Sequence, residues 1–370
     1  MKNILGINLL GLFILFFDIT NISSQEIFCF PDEWATGKYN FVDNQNKTLF
    51  SGNFYLKSEF TEGMGIVQFT DFNNTLAYVN AQGKVFIPQF PKNSFGMITL
   101  YPFSNGYGLV RRGVTAGRSG IFFFINKNGE KVSETYTDAN SFSEGMAVVQ
   151  SNNGTYRAID TNFRTLFEIR SADHNKDINE WQFKSGLLPV MNIREEWGYI
   201  DKTGQLVIQP RIEFGNDFYG DFAISRSNRF IYNKSGKVVY TVESKYDIRN
   251  QPMRRFFYIF NDKLVILDYE FTIHNLVDQS KQDIVVKIEN KSNPLSYSPL
   301  SRYHAYNLGE YMLCYDGIYD YSGNKITELP NNGVYTPTFN NYSKEKIWYN
   351  RYWVQNDSII DLFQYIKNSQ

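Results

Sequence analysis

Few residues of this 370-residue chain have the types and spacing that catalysis requires. A glycosidase needs two carboxylates that face each other across about 5–10 Å, and Glu62 and Glu144 are the first candidates. Both follow Phe-Thr or Phe-Ser and precede Gly-Met, so they occupy equivalent positions in two copies of one phrase. Such a recurring position is better explained by architecture than by chemistry. Glu195 and Glu196 are also unsuitable, because adjacent strand residues point to opposite faces.

Metal ligands and nucleophiles are equally sparse, with three histidines and two cysteines. His174, His274 and His304 lie far from one another and from either cysteine, outside metal-ligand spacing. The sequence contains no Gly-x-Ser-x-Gly elbow and no Walker loop. We therefore predict no catalytic residue, no metal and no cofactor, and we expect the protein not to be an enzyme.

A turn phrase that recurs about eight times accounts for most of the aspartates. It reads apolar–Asp/Asn–x–x–Gly, in which the Asp or Asn accepts a hydrogen bond from the backbone two residues on. The glycine supplies the positive φ of a type I turn with a G1 bulge. Phe163 and Phe271 replace that glycine, so either their turns are built differently or the alignment of the repeats slips by one residue at these places. The Asp/Asn positions are Asp43, Asn80, Asn126, Asp160, Asp201, Asn233, Asp268 and Asp320.

A second phrase, Phe–polar–polar–Gly, precedes most of these turns and indicates a corner from which a strand enters a sheet. Each unit should then hold three antiparallel strands and a variable loop. The turns recur at steps of 32 to 52 residues, close to the spacing of stacked or radial repeats. The corner glycines are Gly63, Gly106, Gly145, Gly186 and Gly220.

With these two phrases the chain resembles the WG-repeat (KWG-repeat) family of bacterial proteins. The resemblance is strongest over residues 60–240, and the best-matching positions are Trp197, Gly198, Gly204, Ile208 and Pro210. It implies an all-β array whose repeated residues are scaffold, with no shared catalytic residues.

The predicted fold is all-β, with repeated antiparallel hairpin or three-strand units in a propeller-like or strongly curved array. A linear β-solenoid is the alternative. Aromatic residues, 17% of the chain, are typical of strands. We expect one repeat domain over residues 25–340, most regular at 60–240 and degenerate at 241–310. Residues 341–370 should form a cap with a short helix, because Ile359, Leu362, Phe363 and Ile366 fall on one helical face and Ser358 is a suitable N-cap.

The N-terminus is typical of a secretory signal peptide. Lys2 precedes an apolar run over residues 4–17, and small residues follow at Ser23 and Ser24. We predict a signal peptide at residues 1–24 with cleavage near Ser24, and an uncleaved anchor is the alternative. The mature protein should be secreted, periplasmic or on the cell surface, and not an integral membrane protein. In that oxidising compartment Cys29 and Cys314 could form a disulfide that joins the ends of the array, or remain two buried thiols.

The sequence favours a non-enzymatic binding or scaffold module whose partner is a protein or a cell-envelope component. A net charge of −1 without a basic run argues against nucleic acid. The alternatives are a glycan-binding surface built on Trp34, Trp181, Trp348 and Trp353 and, less favoured, a propeller-type hydrolase. The expected contact loops are residues 113–120 and 171–181, with Arg111, Arg112, Arg118, His174 and Trp181 as candidate residues.

Overall fold

The predicted all-β class and the repeated antiparallel units are confirmed. A computed structural model shows nine small sheets among the residues that it describes, and in every sheet the strands follow chain order with antiparallel neighbours. The structure describes residues 27–31, 37–70, 75–89, 96–113, 120–171, 181–211, 214–227, 229–242, 256–260, 263–267, 271–277, 284–286, 306–307, 311–314, 317–328, 347–349, 352–355 and 358–369.

Sheets 1 to 5 contain the most regular units. Sheet 1 holds β1 (Phe28–Pro31), β2 (Tyr39–Val42) and β3 (Thr48–Gly52), and sheet 2 holds β4 (Phe54–Thr61), β5 (Met64–Phe69), β6 (Leu76–Asn80) and β7 (Val85–Phe86). Sheet 3 holds β8 (Met97–Leu100), β9 (Gly108–Gly113) and β10 (Ile121–Ile125). Sheet 4 holds β11 (Asp138–Ala139), β12 (Met146–Gln150), β13 (Tyr156–Asp160) and β14 (Thr165–Ile169), and sheet 5 holds β15 (Leu187–Met191), β16 (Trp197–Asp201) and β17 (Leu206–Arg211).

Sheets 6 to 9 complete the described array. Sheet 6 holds β18 (Phe222–Ile224), β19 (Phe230–Asn233) and β20 (Val238–Thr241), and sheet 7 holds β21 (Phe256–Phe260), β22 (Lys263–Leu267), β23 (Phe271–Asn275) and β24 (Ile284–Val286). Sheet 8 holds β25 (Tyr306–Asn307), β26 (Tyr311–Cys314), β27 (Gly317–Asp320) and β28 (Lys325–Thr327), and sheet 9 holds β29 (Ile347–Tyr349), β30 (Tyr352–Gln355) and β31 (Ser358–Asp361). One helix, α1 (Leu362–Ser369), follows.

Successive sheets pack face to face through shared hydrophobic clusters. In β12, Met146 and Val148 pack toward sheet 5, whereas Ala147 and Val149 pack toward sheet 3. Alternate residues of a strand point to opposite faces, so a strand between two neighbours is apolar on both sides. Similar clusters join sheets 1 and 2, 2 and 3, 5 and 6, and 6 and 7. This packing makes the array propeller-like.

The predicted turn chemistry is confirmed at the described copies of the phrase. The Asp201 carboxylate accepts hydrogen bonds from the backbone N–H groups of Thr203 and Gln205 at 2.8 and 3.1 Å. Equivalent pairs of bonds reach Asp43, Asn80, Asn126, Asp160, Asn233 and Asp320. Asn192 forms one more turn of this kind, which the sequence reading missed.

The expectation for Phe163 is wrong and that for Phe271 is confirmed. Phe163 has a φ of 61° and closes the same turn as the glycines, with its N–H donating to Asp160 O at 2.9 Å. Its ring packs against Tyr107 and Phe142, and this contact offsets the backbone strain. Phe271 instead pairs directly with Leu267 across β22 and β23, so its hairpin has another geometry.

The corners are tight two-residue hairpin turns rather than simple bends. Glu144 and Gly145 have φ values of 53° and 85°, and Glu62–Gly63, Asn105–Gly106 and Ser185–Gly186 repeat this pattern. Two consecutive positive φ values define a type I′ turn, which matches the twist of the strands that it joins.

The predicted C-terminal helix is present but begins later than expected. Ser358 pairs with Gln355 between β31 and β30, so it is not the N-cap. Asp361 takes that position, with its carboxylate accepting a 3.4 Å contact from Gln364 N–H. Ile366 is buried, and α1 packs against β28 and β31.

Candidate interaction surfaces

The array has two distinct ends. Gly108 pairs with Ile125, so the corner before β9 and the Asx turn after β10 lie at the same end of sheet 3. Gln150 pairs with Tyr156 at the opposite end of sheet 4, where residues 151–155 connect β12 and β13. We call these the turn end and the loop end.

A ladder of hydrogen bonds joins consecutive corners along the turn end. The Glu144 carboxylate accepts from the N–H of Gly186 at 2.9 Å, so the first residue of one corner binds the glycine of the next. We call this series of bonds the corner ladder, and its other members are Glu62 to Gly106, Asn105 to Gly145 and Ser185 to Gly220. The carboxylates that suggested a glycosidase therefore hold neighbouring sheets together.

Lysines from the following Asx turn reinforce two members of the corner ladder. Lys202 Nζ lies 3.1 Å from the Glu144 carboxylate, and Lys127 Nζ lies 3.7 Å from that of Glu62. Burial pushes the pKa of Glu144 upward, but the Gly186 N–H and the Lys202 ammonium outweigh it, so the pKa is lowered from its usual 4.5. Glu144 is thus held as an anion, the form that accepts these bonds.

The tyrosine of the Tyr–apolar–Asp/Asn phrase also connects neighbouring sheets. Tyr199 donates its hydroxyl hydrogen to Asn216 O at 2.6 Å and accepts from Gly215 N–H at 3.1 Å. The hydroxyl of Tyr78 lies 2.8 Å from Tyr101 O and 3.0 Å from Leu109 O. Burial raises the pKa of both phenols, so they stay protonated donors.

The predicted contact residues Arg111 and Arg112 lie in the central strand β9 rather than in a loop. Both side chains are half-buried, and the Arg111 guanidinium lies 5.6 Å from the centroid of the Phe122 ring. Gly120 faces this strand closely, because an added Cβ would lie 2.9 Å from Arg112 O. Arg118 and His174 fall outside the described residues.

Trp181 is a core residue rather than an exposed contact. Only 3% of its surface is exposed, and its indole N–H donates to Pro189 O at 2.6 Å. Its ring packs edge-on against Tyr156 with centroids 5.2 Å apart. A buried indole cannot stack on a sugar ring, so the glycan interpretation receives no support from this residue. The side chains of Trp34, Trp348 and Trp353 lie outside the described part of the structure.

The suggested disulfide is not formed in the structure. Cys29 is a free, buried thiol in the cluster that joins sheets 1 and 2. Burial raises the pKa of this thiol to about 12, which makes it unreactive. The Cys314 side chain lies outside the described part of the structure. Cys29 therefore corresponds to the alternative of a buried thiol.

A groove of about 500 Å³ opens at the loop end between sheets 4 and 5. Its floor is apolar, with Tyr156 and Ile169 buried and Met191 half-buried. Glu168 and Arg170 are exposed on its rim and provide charges of both signs. We call it the loop-end groove. It borders Ser171, the first residue of the predicted contact segment 171–181.

Ile193 is the groove residue that sequence reasoning missed. It lies in the Asx turn that begins at Asn192, and 93% of its surface is exposed. The signal was present in the sequence, because an isoleucine is unusual at the tip of a polar turn. The turn departs from the recurring phrase, since Glu195, with a φ of 61°, stands where the phrase has glycine.

A second cavity, of about 480 Å³, lies at the turn end between sheets 3 and 4. Most of its lining residues are neutral and polar, and four of them are asparagines: Asn105, Asn126, Asn128 and Asn162. The half-buried Tyr107 ring forms part of its wall. We call it the turn-end cavity. It includes none of the predicted contact residues.

Neither a metal centre nor a spanning helix occurs in the part of the chain that the structure describes. There, no three His, Cys, Asp or Glu side chains are arranged to hold a metal ion. In the same residues, no helix has the length and apolar character needed to cross a membrane.

Two segments, residues 122–156 and 197–228, match the family model described as a WG-containing repeat. Two parts of the chain are therefore similar to WG repeats. The predicted resemblance is thereby confirmed at these two places. Each matched segment begins in the strand that leads into an Asx turn, β10 of sheet 3 or β16 of sheet 5, and extends into the next sheet, so the matched sequence unit straddles two sheets.

Solved structures with low sequence identity also align with this chain. BamB from Moraxella catarrhalis aligns at 13% identity over 81% of this chain and 93% of its own, with a TM-score of 0.37. A eukaryotic initiation factor aligns at 12% identity over 85% of this chain and 90% of its own, with a TM-score of 0.47. The C-terminal WD40 domain of Sif2 aligns at 10% identity over 69% and 79%, with a TM-score of 0.33. No curated protein sequence matches the chain.

Proposed function

We propose that this protein is a secreted or periplasmic, non-enzymatic binding module whose loop-end groove receives a segment of a protein partner. The observation that carries the proposal is Ile193, which is 93% exposed beside a groove of about 500 Å³. Burial of this isoleucine together with the adjoining apolar floor would remove apolar surface from water, which favours association with a partner.

The chemistry of the loop-end groove fits a polypeptide better than a nucleic acid. Its apolar floor of Ile169 and Met191 accommodates a hydrophobic side chain. Glu168 and Arg170 on the rim provide one negative and one positive charge for the flanking polar groups of a peptide. A phosphate backbone would instead need several cations on one face.

The engaged carboxylates support a non-enzymatic role. Glu62 and Glu144 accept hydrogen bonds in the corner ladder, and Asp160 and Asp201 close Asx turns. A general acid or base must instead be free to exchange a proton with a substrate. Each of these four carboxylates accepts hydrogen bonds from backbone N–H groups.

Export is proposed from residues 1–24, whose pattern is that of a signal peptide. Cell fractionation followed by N-terminal sequencing tests this. We expect the protein in the envelope or medium with a mature N-terminus near Gln25, and recovery of unprocessed protein in the cytoplasm would contradict export.

The binding function is tested by capturing partners from the cell-envelope fraction of the source cells with immobilised wild-type protein and two variants. Ile193→Asp places a charge at the loop-end groove and should abolish capture of the partner. Val207→Asp is the matched control, since Val207 is 47% exposed on β17 and does not line the groove. Equal capture by both variants would rule out this groove as the contact, and capture of nothing by the wild type would count against the function itself.

A further inference from the structure

At the turn-end cavity, the interface between two sheets lacks a pair of side chains that occurs at two other interfaces of the array. Between sheets 2 and 3, Lys127 extends to the Glu62 carboxylate, and between sheets 4 and 5, Lys202 extends to Glu144. Both lysines directly follow the Asn or Asp that opens an Asx turn, and both glutamates are the first residue of a corner turn. These pairs place two long side chains between neighbouring sheets.

Between sheets 3 and 4, shorter and neutral residues occupy the corresponding positions. Asn105 replaces the glutamate of the corner, and Thr161 replaces the lysine that follows Asp160. Asn105 still takes its place in the corner ladder, accepting from Gly145 N–H at 2.6 Å. The scaffold bond is therefore kept while the ion pair is absent. Both residues line the cavity of about 480 Å³.

Several lining side chains retain hydrogen-bonding capacity. Asn128 and Asn162 are exposed, and each uses its backbone N–H, not its side chain, to bind the preceding Asx residue. The amide nitrogen of Asn105 makes a long contact of 3.4 Å with Ser104 Oγ. An asparagine amide offers both donors and acceptors, which suits the hydroxyl groups of a sugar.

Tyr107 adds an aromatic surface to this polar lining. Its ring is held against Phe142 and Phe163, with centroids 5.5 and 5.0 Å away, and part of it lines the cavity. A fixed ring that is apolar on its body and polar at its tip suits a ligand with both C–H and O–H groups.

From this lining we infer that the turn-end cavity binds a neutral saccharide unit. Its volume lies within the range of about 300–1,000 Å³ that is usual for small-molecule sites. Lys127 is the charged residue among those that line it, and its ammonium lies 3.7 Å from the Glu62 carboxylate, which offsets the charge that would attract an anion. The site is separate from the loop-end groove and from the buried Trp181.

The test is saturation-transfer NMR of the full chain with glucose, galactose, mannose and N-acetylglucosamine, each at millimolar concentration, and with inorganic phosphate as a competitor. The decisive variant is Asn105→Glu combined with Thr161→Lys, which introduces the ion pair found at the neighbouring interfaces. We expect at least one sugar to bind the wild type and this signal to disappear in the filled variant. Phosphate should leave the signal unchanged.

Single substitutions test the sugar site even if the variant with Asn105→Glu and Thr161→Lys does not fold. Asn128→Ala and Asn162→Ala remove exposed side chains and should each weaken sugar binding about fivefold, whether or not the filled variant folds. Gln82→Ala is the matched control, because Gln82 is exposed at the corresponding turn position of sheet 2. Three results would each overturn the inference. The first is that none of the four sugars gives a saturation-transfer signal, and the second is that a sugar still binds the variant with Asn105→Glu and Thr161→Lys. The third is that phosphate displaces the sugar. Ile193→Asp leaves this site intact, so its outcome tests the proposed protein-binding function separately.

Discussion

At the scale of single residues, Phe163 shows how packing can override a backbone preference. A left-handed φ costs a non-glycine residue roughly 1–2 kcal/mol. The Phe163 ring nevertheless packs among Tyr107, Phe124 and Phe142, which supplies a hydrophobic contact that glycine could not make. The turn predicted to be irregular is therefore regular, because the contacts of the side chain come from two different sheets.

Glu144 carries the first prediction, which concerns pH. Its pKa is lowered in the folded protein, so its contribution to stability is present above the usual value of 4.5 and is lost as the pH falls below it. Glu144→Gln should reduce the fall in the free energy of unfolding on acidification, since Gln does not titrate. At pH 7 the variant should lose only about 0.5 kcal/mol, because the side chain is 31% exposed.

Urea unfolding of the wild type and this variant from pH 7 to pH 3 provides the measurement. Glu168→Gln, which changes an exposed residue of β14, is the control and should preserve the wild-type profile. An unchanged profile in Glu144→Gln would show that the carboxylate does not stabilise the corner ladder.

The residue-level chemistry was only partly predictable from sequence. Asx turns are local, since each carboxylate or amide binds N–H groups two and four residues ahead. The corner ladder joins Glu144 to Gly186, which are 42 residues apart, so no local pattern shows it. The repeat phrase placed equivalent residues in register, but it could not show that they bind one another.

At the scale of elements, Gly198 of the Trp–Gly pair is required by a close approach of two strands. The pairing of β16 and β17 is irregular between Trp197 and Tyr199, and a Cβ at position 198 would lie 2.6 Å from Ile208 O. Because the clash is with backbone, β17 would have to move. Corresponding positions in other units are occupied by larger residues, such as Phe123 in β10.

The second prediction is that Gly198→Ala lowers the free energy of unfolding by about 2 kcal/mol through this overpacking. Chemical denaturation measures the change. Thr165→Ala, at an exposed position of β14, is the control and should change the stability by less than about 0.5 kcal/mol. If Gly198→Ala has the wild-type free energy of unfolding, then β17 can move away from the added Cβ without destabilising the protein.

Element boundaries show where sequence periodicity stops being informative. The pattern at Ile359, Leu362, Phe363 and Ile366 predicted a helix from Ser358, but residues 358–361 pair with β30 instead. A segment as short as residues 358–361 is compatible with both a helical and an extended pattern of apolar residues. The backbone hydrogen bonds that β30 offers decide between them, and these depend on tertiary structure.

At the scale of the whole molecule, we expect the free energy of unfolding to come mainly from the hydrophobic clusters between neighbouring sheets. Val148 is fully buried in the cluster shared by sheets 4 and 5, and Val79 is fully buried in the cluster shared by sheets 1 and 2. In such arrays each unit interacts mainly with its neighbours, so local damage should stay local.

The third prediction compares Val148→Ala with Val79→Ala by hydrogen–deuterium exchange. Each substitution should cost about 2 kcal/mol. Exchange should increase in sheets 4 and 5 for Val148→Ala and in sheets 1 and 2 for Val79→Ala. A uniform increase across the array in both variants would show that the sheets unfold as one cooperative unit.

The overall architecture was more predictable than its surfaces. Recurring turns indicated antiparallel units, because each turn reports a local strand–turn–strand geometry. The candidate contact residues depart from the repeat phrase, and Trp181 shows that such a departure does not identify a surface residue. An irregular residue can fill the core, whereas Ile193 and Asn105 form surface features from within regular turns.

The offset between the sequence repeat and the sheets has a consequence for how such chains grow. Residues 122–156 begin in β10, the third strand of sheet 3, and end at the first residue of β13, the third strand of sheet 4. Tandem duplication of that segment would insert one complete additional sheet, because each junction falls where an existing strand is interrupted and immediately resumed. A gene for this protein can therefore lengthen or shorten by whole copies without leaving an orphan strand.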